Sequence, residues 1–171
     1  MKESIAPEGD VHTPYGATEA LPVASIAASE VLSSTAKRSV EGAGTCVGRR
    51  FPGIDWKVIH IDDGPIPTLD RAIELPPGQI GELIVRGPVV TSEYVTRPDC
   101  NPHHKIADGD TFWHRMGDVG YLENDPSGDD WQQRFWFCGR KAHRVTLPDQ
   151  TLFTIPCEAV FNQHHAIYRS A

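Results

Sequence analysis

The sequence has no apolar run approaching the ~20 residues that cross a bilayer as a helix, which excludes a helical membrane span. Met1 to Gly9 holds Lys2, Glu3, Pro7 and Glu8, with neither a basic start nor an apolar stretch, so no secretory signal is read there and a cytoplasmic location is expected. Basic residues are the minority. The 16 Lys and Arg face 23 Asp and Glu, and the formal charge of −7 repels a phosphate backbone and argues against nucleic-acid binding. No Cys-x-x-Cys pair exists among Cys46, Cys100, Cys138 and Cys157, which removes the common zinc clamp and dithiol exchange. They are expected as reduced thiols, mostly buried. His103–His104 and His164–His165 are adjacent pairs, but sequence neighbours on a helix or strand point different ways, so packing or surface roles are expected rather than a shared metal. Internal repeats and low-complexity tracts are absent.

What is present is a chain of 171 residues, 39% hydrophobic, long enough for one ordinary domain with a core. Its 15 glycines and 14 prolines punctuate short apolar runs, a spacing that predicts strands and turns. After Pro52–Gly53, the segment Ile54 to Asp62 alternates, with Ile54, Trp56 and Val58 on one face of a half-buried strand. Gly81 to Arg86 predicts a second strand between turns at 76–78 and Gly87–Pro88. Val119 to Leu122 and Arg134 to Cys138 predict two arms of a hairpin around the turn-forming stretch Asn124 to Asp130. Two helices are expected. One is alanine-rich, Ser25 to Ala36, ending before Arg38 and the glycines at 42 and 44. The other has Thr154 as cap and Pro156 in its first turn, with Cys157, Val160, Phe161 and His164 on one face.

Three segments carry chemistry. His12-Thr-Pro-Tyr-Gly-Ala-Thr-Glu19 sets an aromatic, a glycine, a hydroxyl and a carboxylate ahead of an expected helix, an arrangement suited to an anionic ligand and its metal. The plain alternative is a turn with Thr18 as helix cap and Glu19 near the helix dipole. Trp113-His-Arg-Met-Gly-Asp118 leads into one strand, and Phe137-Cys-Gly-Arg140 ends another. A facing Asp118 and Arg140 can hold a diol such as a ribose from both sides, or can form a cross-strand salt bridge.

In order, these segments resemble the adenylate-forming superfamily of acyl-CoA synthetases, luciferases and peptide-synthetase adenylation domains. Tyr15 to Glu19 is similar to the family's adenylate-binding motif, which implies Tyr15 along adenine, Thr18 on the α-phosphate and Glu19 on Mg2+, with Gly16 and Ala17 also nucleotide-binding. Gly44 to Gly53 resembles its Gly-x-x-Gly-x-x-x-Pro-Gly segment. Gly78 to Pro88 resembles its Gly-x-x-Gly-Glu-Leu-x-Val-x-Gly-Pro strand, with Glu93 where a Gly usually precedes the Tyr. Arg115-Met-Gly-Asp118 is similar to Arg-Thr-Gly-Asp, Met116 replacing Thr, which implies Asp118 on the ribose. Gly139–Arg140 resembles the start of the hinge motif, which implies Arg140 on the same ribose and Ala142 at the hinge position, where Asp or Lys is usual. Within the superfamily, the exact wording of these motifs resembles the bacterial olefin-biosynthesis branch, which includes β-lactone synthetases.

The resemblance implies an α+β, β-rich fold. It comprises the end of a large N-terminal domain, a helix plus a distorted β-barrel-like sheet, and the start of a small C-terminal domain. Residues 1–43 would hold the adenylate motif and helix, 44–140 the β-rich subdomain, and 141–171 the hinge and the opening of the C-terminal domain. The implied reaction is ATP-dependent activation of a long-chain fatty or β-hydroxy acid as acyl-AMP, with a β-lactone as product. ATP or AMP and Mg2+ are the implied cofactors, with coenzyme A possible but not required. The family's phosphate loop and catalytic lysine are not found, so an internal piece of a synthetase, inactive alone, is expected, with the remainder of the synthetase as partner. Apolar surface around Val160 and Phe161 is expected to drive self-association. An ordinary fatty-acid–CoA ligase, a non-catalytic nucleotide-binding module and a β-rich interaction domain are the competing readings.

Overall fold

The computed structural model describes residue 6 and residues 8–124 and 132–170. The stretch 125–130, expected as the long hairpin loop, lies outside the described residues. The main sheet runs in the order β1 (His12–Ala17), β2 (Ala20–Ala27), β3 (Thr45–Arg50), β8 (Arg134–Arg140), β7 (Thr111–Glu123), β5 (Gly81–Arg86), β4 (Asp55–Ile59), and β6 (Lys105–Asp108) also pairs with β7. Every pairing between these strands is antiparallel. A two-stranded ribbon of β9 (Val145–Thr146) and β10 (Thr151–Leu152) precedes a helix, Thr154–Phe161. The architecture is the β-rich α+β fold expected. β1 and β2, from within residues 1–43, belong to the same sheet as the strands after residue 44.

The long strand β7 organises the fold. Its first residues pair with β6 and its last with β8, while β5 runs along the other edge. β5 is buried on both faces, because Leu83 and Val85 enter one core and Ile84 another. That explains its near-continuous apolar run. The first core joins Val23 and Ala24 of β2, Ile54, Trp56 and Val58 at β4, Met116 and Leu122 of β7, and Phe135 of β8. Strands from both halves of the sheet thus wrap one interior. An isolated bridge between Ala20 and Val90 draws the halves together. The alternation expected at Ile54, Trp56 and Val58 is borne out, each being buried.

Two expectations about helices are corrected. Ser25, Ile26 and Ala27 complete β2, in register with Pro14, Thr13 and His12, and helix begins only at Ala28. The helical segment then runs past Arg38 through residue 43, alternating α-helical turns with wider π turns. Alanine content favours helix, but burial of Ile26 beside Cys46 and Trp136 holds the strand three residues longer. In the last helix, Phe153 occupies the N-cap with no side-chain cap bond, Thr154 is the first helical residue, and His164 falls beyond the end at Phe161. Pro156 does sit in the first turn, and Val160 and Phe161 are exposed.

Candidate functional site

Asp118, Arg140 and Tyr15 meet at one point, delivered by three strands. The pairing of β7 with β5 shifts between Ile84↔Arg115 and Glu82↔Val119, so residues 116–118 form a bulge. Gly117 sits there with φ +67°, a left-handed conformation that disfavours any side chain, and the bulge re-aims Asp118. Directly opposite Asp118 in the register stands Arg140, at the end of β8. Its guanidinium pairs with Asp118 Oδ1 and donates to the Met116 carbonyl at 3.2 Å. From β1, the Tyr15 hydroxyl donates to Asp118 Oδ2 at 2.5 Å. The Asp118 side chain is 6% exposed and that of Arg140 53%.

The electrostatics follow from that burial. Desolvation, then the charge of Asp118, pushes the Tyr15 hydroxyl well above its ordinary range, so the phenol remains a donor. The hydrogen bond to Asp118 raises Arg140 further. The Tyr15 ring leans on Phe135 and Phe137, with centroids 5.9 and 6.3 Å away. The cross-strand ion pair set against the diol reading is therefore present in the structure. The Tyr15 bond to the same carboxylate was not foreseen in the sequence.

Thr18 and Glu19 are corrected in their setting. They form the two-residue turn between β1 and β2, and no helix follows for Thr18 to cap. The strand partner is supplied by Ala20 to Ala27, whose Val23, Ala24 and Ile26 are buried. Gly16 makes the tight hairpin possible, since a Cβ there would stand 2.3 Å from the Ala20 carbonyl oxygen. Ala17 ends β1 half-buried, and Thr18 is exposed at the turn. Ala142 lies in the exposed turn Lys141–His143 immediately after β8.

Glu19 has its own surroundings. The Tyr94 hydroxyl donates to Glu19 Oε1 at 2.8 Å, and the Thr91 amide donates to the Glu19 carbonyl at 2.8 Å. His104 meets the Tyr94 ring at its edge, 5.4 Å between centroids, and Lys105 Nζ lies 5.7 Å from the same ring. Burial acts to raise the Glu19 carboxyl, but the Tyr94 bond, its own backbone amide and nearby His114 and His104 outweigh it, leaving it below the usual range. Burial lowers Lys105 to about 8. Among the described residues no group of three or more His, Cys, Asp or Glu is arranged to hold a metal ion.

One cluster was missed at the sequence level. Glu82 and Arg115 are buried to 1% exposure and joined at 2.6 Å, with Lys141 Nζ 3.2 Å from the same Glu82 oxygen. The available signal was a carboxylate inside the apolar run of β5, which demands a partner.

Comparison with known proteins adds to this geometry. The chain is 43% identical over 176 residues to an olefin beta-lactone synthetase of Stenotrophomonas maltophilia, covering 100% of this chain and 30% of that protein. It is 42% identical over 164 residues to the enzyme of the same name from Xanthomonas campestris pv. campestris, covering 93% of this chain and 28% of the relative. The fold matches O-succinylbenzoate coenzyme A synthetase (MenE) of Bacillus subtilis in complex with AMP, with a TM-score of 0.66 and 20% identity over 94% of this chain and 27% of that one. Over its whole length the chain is similar to olefin beta-lactone synthetases, and its fold is that of the adenylate-forming synthetases.

Both of these relatives carry the olefin β-lactone synthetase name, in agreement with the branch that the motif wording indicated. No protein-family model matches the chain. The chain spans less than a third of the length of those two relatives. MenE has also been solved with ATP and a magnesium ion, so nucleotide and Mg2+ use occur among structures of this fold. Among the described residues, no helix is long and apolar enough to cross a membrane.

Proposed function

We propose that this chain supplies the ribose- and phosphate-facing strand ends of an AMP-forming acid ligase that makes a β-lactone. The observation that carries the reading is the Asp118 carboxylate, held between the Tyr15 hydroxyl and the Arg140 guanidinium at the meeting of three motifs. A carboxylate at a strand bulge with a half-exposed arginine beside it offers an acceptor and a donor to two vicinal hydroxyls. In this reading Asp118 accepts from the ribose hydroxyls and Arg140 donates to a hydroxyl oxygen. Tyr15 lies beside the base, the backbone at Gly16 and Ala17 lines the nucleotide, and Thr18 donates to the α-phosphate.

The donor set suits Mg2+. A hard cation of this kind is commonly held by one or two carboxylates together with substrate phosphates and waters, and Glu19 offers a single carboxylate with one oxygen already fixed by Tyr94. Glu19 would hold the ion, which when bound neutralises phosphate charge. The substrate carboxylate attacks the α-phosphorus of ATP and pyrophosphate leaves, giving acyl-AMP. The substrate's own β-hydroxyl, once deprotonated, then attacks the acyl carbon and AMP leaves as the ring closes. An internal hydroxyl has a large effective concentration relative to a free thiol, so coenzyme A is dispensable. Positioning and charge neutralisation carry both steps.

The test is an enzyme carrying this segment, supplied with a long-chain β-hydroxy acid and ATP, with and without coenzyme A. AMP and a β-lactone without coenzyme A are expected, identified by mass spectrometry and NMR. A strict thiol requirement with an acyl thioester as the only product would move the reading to a fatty-acid–CoA ligase.

A further inference from the structure

The clamp residues Asp118 and Arg140 sit on neighbouring paired strands, and a buried charge on a third strand adds a side-chain tie to the residues beside them. Glu82, on β5, has its Oε2 bonded by Arg115 Nη2 at 2.6 Å and Nε at 3.1 Å, and by Lys141 Nζ at 3.2 Å. Arg115 lies three residues before Asp118, across the Gly117 bulge. Lys141 directly follows Arg140. One carboxylate oxygen therefore pins both strands immediately beside the pair that faces the ligand. The rest of the cluster is fixed as well: Arg115 donates to the carbonyls of Asp62 and, at 2.7 Å, Gly64, while Lys141 donates to the Asp62 carbonyl at 3.1 Å.

The placement is costly to maintain. A carboxylate and a guanidinium removed from water are retained only with good geometry and full hydrogen bonding, and an apolar pair would fill the same volume without that cost. A bulge is also a point where a strand can shift, so a rigid tie beside it gives the re-aimed carboxylate one orientation. We propose that Glu82 is a positioning residue that sets the relative placement of Asp118 and Arg140 and, through it, discrimination for vicinal hydroxyls. This inference rests on the ribose reading given above.

The experiment measures binding of AMP and of 2′,3′-dideoxy-AMP to the chain by titration calorimetry, for the wild type, Glu82→Gln and Lys141→Met. The wild type is expected to prefer AMP about tenfold, the scale of a hydrogen bond to a charged group. Both variants are expected to lose most of that preference through weaker AMP binding, with dideoxy-AMP affinity unchanged. A wild type that binds the two nucleotides equally, or binds neither, overturns the ribose reading and this inference with it. A wild type that discriminates beside variants that keep the ratio, or that weaken both nucleotides alike, overturns the positioning role alone. Lys141→Met retains the Glu82–Arg115 pair, so it decides the matter if Glu82→Gln does not fold.

Discussion

Asp118 and Arg140 are direct cross-strand partners, and the carboxylate they share with Tyr15 is nearly closed to solvent while the guanidinium is half open. That asymmetry gives the pair a buried acceptor fixed from one side and a cation able to turn toward an incoming group. Replacing Asp118 by Ala removes the acceptor and leaves Tyr15 and Arg140 without their common partner. AMP affinity is expected to fall by about 1–3 kcal/mol, the usual scale for a hydrogen bond to a charged group. Calorimetry set beside thermal unfolding checks this. Unchanged AMP affinity with a lower melting temperature would leave the ion pair a purely structural role.

Two glycines at the candidate site should differ in what they tolerate. At Gly117 a Cβ meets nothing within 4 Å, so Gly117→Ala carries only the backbone cost of φ +67°, about 1–2 kcal/mol. At Gly16 the Cβ would lie 2.3 Å from the Ala20 carbonyl oxygen and 2.9 Å from Leu21 Cδ1, and the hairpin must move. Gly16→Ala is expected to cost about 3 kcal/mol or more, at the upper end for overpacking. Denaturant unfolding of both variants gives the comparison. Equal losses would mean that the β1–β2 turn yields more readily than its contacts indicate.

Val160 and Phe161, 55% and 57% exposed, end the last helix, and Val145 and Leu152 of the small ribbon are exposed as well. Apolar side chains left in water favour association. The chain is expected to self-associate with rising concentration and to bind a hydrophobic dye, and a Val160→Ser, Phe161→Ser double variant to do both less. Sedimentation over a concentration series is the measurement. A monodisperse monomer at all concentrations, with no dye bound, contradicts the expectation.

Local pattern carried much of this structure, and distance in sequence hid the rest. β5 spans Gly81–Arg86 as its composition indicated, because a short apolar run between turns has few other solutions. The arms of the β7–β8 hairpin were readable from the turn formers between them, and the Asp118–Arg140 register follows from that pairing. The alanine-rich stretch was misread at Ser25 because helix propensity is a weak prior and strand pairing with Pro14 overrides it. Thr18 and Glu19 look like a helix start only if β2 is missed. The Tyr94–Glu19 bond spans 75 positions and the Glu82–Arg115 pair 33, and no local period marks either one.

His114 links burial to pH. It is 2% exposed on β7, with its Nδ1 3.2 Å from the His104 carbonyl, and Lys105, Glu19 and His104 are the charged or titratable groups acting on it. Burial first, then the charge of Lys105, lowers its pKa from 6.5 to about 4. The folded chain thus holds His114 neutral at a pH where the unfolded chain has already bound a proton, so stability falls as pH drops from about 6.5 to about 4. One such group gives a slope of at most about 1.4 kcal/mol per pH unit in that window. His104, also lowered by burial, adds in the same direction, so the total slope alone does not isolate His114. Subtracting His114→Phe from the wild type does. Unfolding free energies at pH 7, 6 and 5 are expected to show a flatter acid limb in the variant by up to one proton. Identical slopes would mean that His114 titrates as it does in the unfolded chain, and that the wall formed by Tyr94, His104 and Lys105 admits water.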